Sequence, residues 1–123
     1  MKKADKRIII RNGMRTAVLD NVPIPDAQTA LDLIAEVGYY DACDRIAVRK
    51  EAFPRAFFDL KTGMAGEILQ KFSNYSKKLA IIGDFADRSS AALRDFIREC
   101  NRGHSVFFVP TEEDAVARLC GTV

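Results

Sequence analysis

Between Met64 and Tyr75 the apolar residues recur at helical intervals. Ala65, Ile68, Leu69, Phe72 and Tyr75 form one stripe, with polar positions between them. The polar turn Asp59-Leu60-Lys61-Thr62-Gly63 precedes this helix, and the short apolar run Leu79–Ile82 follows it, closed by Gly83-Asp84. A run that short, apolar throughout, reads as a buried parallel strand. The unit is therefore a turn, a helix and a strand, with Thr62 at the helix start, where anions and hydroxyls are well placed.

The same patterns extend over the rest of the chain. Ile8–Ile10 and Thr16–Leu19 flank Asn12-Gly13, which predicts a β-hairpin over residues 7–20. Pro23 and Pro25 interrupt regular structure, and Asp26 caps a helix from about Ala27 to Val37. Ala27, Ala30, Leu31 and Ile34 face the core of that helix and Gly38 stops it. Tyr39 and Tyr40 are expected to cover the edge of the core. Asp44–Lys50 alternates as a strand, and Glu51–Phe58, with three phenylalanines around Pro54, forms an irregular apolar plug. Ala86–Ser89 is a polar loop in which Asp87 or Ser89 caps the next helix, whose stripe is Leu93, Phe96, Ile97 and Cys100. Val106–Val109 is the following strand. Thr111 and Asp114 resemble a capping box ahead of Ala115, Val116 and Leu119. Helices alternating with strands in this way predict an α/β domain with a mainly parallel sheet, an N-terminal β-hairpin and helices packed on the sheet.

Composition sets the limits. The 123 residues suffice for one domain spanning 1–123, with 1–6 a frayed tail, and 48% apolar content with 29% charge suits a globular, cytoplasmic protein. No stretch reaches the roughly 18 apolar residues of a membrane span. A net charge of +2 argues against nucleic acid as a partner, and the cluster Arg45, Arg49, Lys50, Arg55 reads as a solvated face. Three cysteines without paired spacing fit a reduced compartment. Cys100 reads as a core residue, and Cys120 as a reactive thiol in a fraying terminus. With His104 as the single histidine, no metal site, cofactor or histidine-dependent catalytic residue is expected.

The order of elements over residues 44–119 resembles the STAS fold of anti-sigma-factor antagonists and transporter tails. Asp59-Leu60-Lys61-Thr62-Gly63 stands where that family has an Asp-Ser-Ser-Gly turn, and Phe108-Val109-Pro110-Thr111 stands at its last strand. This turn is one residue longer, and Thr62 is the sole hydroxyl, matching the second serine. Across residues 8–119 the runs KEAF, FFDLKTG, AGEILQKF, LRDFI and FFVPTEE are similar to an uncharacterised bacterial family, domain of unknown function four-one-eight-zero. The resemblance implies a STAS-like fold and brings no activity.

Two functional readings follow. The first is a non-enzymatic regulatory or interaction module. It would engage an unidentified protein partner, or a second copy of itself, through Asp59, Lys61, Thr62 and Gly63, with Asp84 and Arg88 beside them. The alternative is a small-ligand-binding protein or enzyme using a polar rim of Lys50, Asp59, Lys61, Asp84 and Arg88, since loops leaving the carboxyl ends of parallel strands share one rim. A convex rim favours the partner and a cavity of a few hundred cubic ångströms favours the ligand.

Overall fold

The structure, a computed structural model, describes residues 5–86 and 90–121. Its five strands form one sheet in the order of the sequence. β1 (Lys6–Arg11) and β2 (Met14–Leu19) make the antiparallel hairpin, with Asn12 (φ 54°) and Gly13 (φ 75°) supplying the two left-handed residues that such a turn needs. β3 (Arg45–Arg49), β4 (Lys78–Ile82) and β5 (Val106–Val109) add successively, each parallel to its neighbour. Register places Ala17, Ile46, Leu79 and Val106 in one row across the sheet.

Sequential parallel strands joined by crossovers of one hand send every crossover helix to the same face. α1 (Ala27–Tyr39), α2 (Arg55–Phe58), α3 (Met64–Asn74) and α4 (Ala91–Arg102) accordingly pack over Ile46, Val48, Leu79 and Ile81. Phe57, Ile68, Phe72 and Leu93 fill that layer. The opposite face carries Val18, Ala47, Ala80, Phe107 and Val109. α5 (Glu112–Cys120) covers it through Ala115, Val116, Leu119 and Cys120. Among the described residues no helix is long and apolar enough to cross a membrane.

The predicted α/β architecture is the observed one, and several local expectations are corrected. α1 runs through Gly38 to Tyr39, and its buried residues are Ala30, Leu33, Ile34 and Val37. Gly38 is not a stop; it lies within α1, where a Cβ would come 3.0 Å from Lys77 Nζ. Tyr39 and Tyr40 do not cover the core, being 83% and 77% exposed and stacked edge-on against each other. Tyr75 falls just past α3 and is 58% exposed, because the helix ends one residue before the stripe does. The apolar plug is a 3₁₀ turn at Lys50–Ala52 followed by α2, with Phe53, Phe57 and Phe58 buried. Lys6 belongs to β1 and not to a frayed tail. Cys120 is buried against Thr16, with Oγ1 and Sγ 3.2 Å apart, because α5 lies down on the sheet where fraying was expected. Ser90 caps α4, its Oγ accepting from Leu93 N at 3.1 Å. The expected caps Asp87 and Ser89 lie outside the described residues, as does Arg88.

Candidate functional site

α3 returns the chain to Lys78 at the start of β4, so the turn before it stands at the carboxyl-end rim of the sheet. Asp59, Lys61, Thr62 and Gly63 are all exposed there. The turn is nonetheless tightly organised. Asp59 Oδ1 accepts from Lys61 N at 3.2 Å, and Leu60–Thr62 forms one 3₁₀ turn. Thr62 Oγ1 lies 2.7 Å from Ala56 O and 2.9 Å from Asp59 O as donor, and accepts from Met64 N at 3.2 Å. Gly63 takes φ 76°, a left-handed conformation that a side chain would strain, and hands the chain into α3. Thr62 is thus exposed at the start of α3 with its hydroxyl already engaged. Lys61 extends its ammonium without a side-chain bond among the described residues.

Lys50 and Asp84 meet on the same rim, Lys50 Nζ donating to the Asp84 carbonyl. The Asp84 carboxylate turns inward to its own loop and accepts from Ala86 N at 3.0 Å. Phe58 and Phe85, the chain neighbours of Asp59 and Asp84, touch with ring centroids 6.0 Å apart. The two halves of the predicted rim are therefore adjacent. No hydrogen bond or ion pair joins Asp59 or Lys61 to Lys50 or Asp84 among the described residues, and the carboxylates serve local backbone.

A second arrangement on this rim was not anticipated. Arg7 on β1, Asp20 at the exit of β2, Arg49 at the end of β3 and Glu112 at the start of α5 converge from four elements. Arg7 donates from Nε and Nη2 to Asp20 at 2.7 and 3.2 Å, and from Nη1 and Nη2 to Glu112 at 3.1 and 2.6 Å. Arg49 Nη2 adds contacts of 3.0 Å to Glu112 and 3.4 Å to Asp20. The Arg7 guanidinium holds both carboxyls below the usual carboxylate range, against the opposing effect of partial burial. Arg45, expected on a solvated face, donates from Nε to Leu119 O at 2.6 Å. The basic residues of β3 are anchors for α5. Alternation on β3 placed Arg45 and Arg49 on one face, and that was the available signal; their partners lie far away in sequence.

Beside this network a cleft of about 650 Å³ opens between residues 19–23 and the segment carrying Arg49, Glu51 and Ala52. Two shallower clefts of about 500 Å³ lie along α1 near Tyr39 and Tyr75, and along α4 near Phe85. None of these three is lined by Asp59, Lys61, Thr62 or Gly63. The described residues contain no group of three or more His, Cys, Asp or Glu able to hold a metal ion.

The fold and rim define a small α/β domain with a hairpin-led, sequentially ordered sheet and an exposed, structured turn. Residues 11–119 match the family model described as Domain of unknown function (DUF4180), and the chain belongs to that family. No curated protein and no solved structure matches it.

Proposed function

We propose that this domain is a non-enzymatic regulatory or protein-interaction module of the bacterial cytoplasm, and that the Asp59–Gly63 turn is its contact. The observation that supports the reading is the combination of exposure and internal order in the turn. Asp59, Lys61, Thr62 and Gly63 present themselves to solvent while hydrogen bonds within the turn fix the backbone. A preformed, exposed element loses little conformational freedom on docking, which favours a protein partner. The STAS-like reading of the fold supports the same surface, since the turn occupies the place of that family's Asp-Ser-Ser-Gly segment. The partner is a different protein or a second copy of the chain.

Lys61 is the side chain that decides the matter, because its charge is committed to nothing else in the turn. Lys61→Glu should melt like the parent, within the roughly 0.5 kcal/mol usual for surface changes. It should also lose the protein that copurifies with the parent from the native host, or shift a self-associated species to monomer in light scattering. Thr62→Ala removes the hydroxyl that joins Ala56 and Met64, and should cost about 1 kcal/mol. Identical partner profiles and identical mass for parent and Lys61→Glu would sink the proposal.

A further inference from the structure

The cleft between the exits of β2 and β3 supports a conclusion that does not depend on the turn. We infer that it binds a small monocarboxylate with an apolar body, held on the guanidinium of Arg49. Its place is the first reason: it lies at the exits of β2 and β3, on the carboxyl-end rim of the parallel sheet, where loops on a rigid scaffold carry function. Its size, about 650 Å³, suits a small molecule. The floor is apolar, from Leu19, Val22 and Ala52, and Ile24 N donates to Ala52 O at 2.7 Å, which ties the two walls together before any ligand arrives.

Arg49 supplies the polar anchor. Arg7 commits Nε, Nη1 and Nη2 to Asp20 and Glu112, whereas Arg49 reaches both acids through Nη2 alone. Its Nε and Nη1 donors make no bond among the described residues, and Arg49 lines the cleft. A guanidinium takes an oxyanion through paired N–H···O bonds, so these donors match one carboxylate. Charge selects the ligand further. Arg7, Arg49, Asp20 and Glu112 sum to zero, and Glu51 adds a negative charge at the cleft wall. A doubly charged phosphate meets that repulsion at twice the strength a carboxylate does.

The test is an amide chemical-shift titration of the full chain with isovalerate, with isovaleramide as a matched uncharged probe and inorganic phosphate as the other oxyanion. Isovalerate should move the amides of Asn21, Val22, Glu51 and Ala52 saturably in the millimolar range, and the other two probes should not. Arg49→Gln should weaken isovalerate by about tenfold or more, the loss expected for a charge-assisted pair. Because Arg49 also holds Glu112, Ala52→Phe provides a second variant: it fills the floor, leaves Arg49 in place and should abolish the shifts. Lys61→Glu should leave them unchanged, which separates this site from the turn. Absence of saturation with isovalerate, equal shifts from isovaleramide, a response to phosphate instead, or shifts that persist in Ala52→Phe would each overturn the inference.

Discussion

The two faces of the sheet are covered by different means. On the first, α1, α3 and α4 are placed by bulk: Ile34, Ile68, Phe72 and Leu93 fill the space over Ile46, Val48, Leu79 and Ile81. On the second, one short helix lies over the small residues Ala47 and Ala80, meeting them through Ala115 and Val116. Directed polar bonds hold it at both ends. Thr111 caps its first turn and Glu112 takes Arg7 and Arg49; Arg45 and Asn12 donate to the carbonyls of Leu119 and Cys120 at the other end. Acids at the N-terminus and a cation at the C-terminus also suit the helix dipole. Bulk is satisfied by many arrangements of similar volume, whereas polar clamps specify one position. The clamped face therefore brings charged side chains from four elements to one point of the rim, beside the cleft.

The comparison breaks most sharply if the first face is not held by volume. Phe72 is fully buried in the middle of α3, and Phe72→Ala should cost about 3–5 kcal/mol in urea melts. A loss below about 1 kcal/mol would place that layer among surface-like contacts. The second face should respond to the opposite change. Ala80 is fully buried where α5 lies close, so Ala80→Leu should overpack it and cost about 1–3 kcal/mol. A neutral Ala80→Leu would mean that α5 stands off the sheet and that the clamps alone position it.

How much of this was legible in the sequence follows the same division. The first face was readable because Ala65, Ile68, Leu69 and Phe72 recur at helical spacing and the strands are continuous apolar runs, both local signals. The stripe failed where it passed the end of α3, at Tyr75, and at Tyr39-Tyr40, since periodicity says nothing about where a helix stops relative to the layer beneath it; in α1 it also missed Leu33 and Val37, which are buried while Leu31 is not. On the second face the Ala115, Val116, Leu119 stripe was legible, and what held it was not. Arg7, Asp20, Arg49 and Glu112 are spread over 105 positions and belong to no motif, so only the register of β1, β2 and β3 brings them together. The turn was legible as a turn, and its Asp59 and Gly63 roles follow from residue type. That the Thr62 hydroxyl reaches back to Ala56 required the preceding short helix, which the sequence offered only as an irregular plug.

Acid should test the second face directly, because its clamp is built on the carboxylates of Asp20 and Glu112. Asp20 and Glu112 have folded-state pKa values below their ordinary ones. Their contribution is thus fully present above the unfolded-state range of about 3.9–4.3 and is lost as pH falls through the lower folded-state values. Both are partly exposed, so each is worth at most about 1 kcal/mol after solvent screening. Stability measured by urea melts should fall below about pH 4, and Asp20→Asn with Glu112→Gln should flatten that part of the fall without altering the cost of Phe72→Ala. An acid limb identical in the double variant would remove the clamp from the account of α5.

The smallest effect separates the faces without changing stability. Cys100 lies half-buried on α4 at the edge of the first face, Cys43 is buried beyond α1, and Cys120 is buried beneath α5. Burial pushes the Cys43 and Cys100 thiols up, which slows any reagent that needs the thiolate. Access then decides the order, and Cys100 should label first in the native state. Cys43 and Cys120 should follow only through opening of the structure, at rates that track its local stability. The informative pair is Cys43 and Cys120, one under each face. If the polar clamps hold α5 as firmly as apolar volume holds the other helices, these two thiols should label at similar rates. They should also respond alike to low concentrations of urea. Faster labelling of Cys120, with Cys43 still protected, would show α5 lifting independently of the rest. Adding Arg45→Ala, which frees the Leu119 carbonyl, should then accelerate Cys120 alone. Labelling of Cys120 as fast as Cys100 in the absence of denaturant would contradict a clamped α5 altogether.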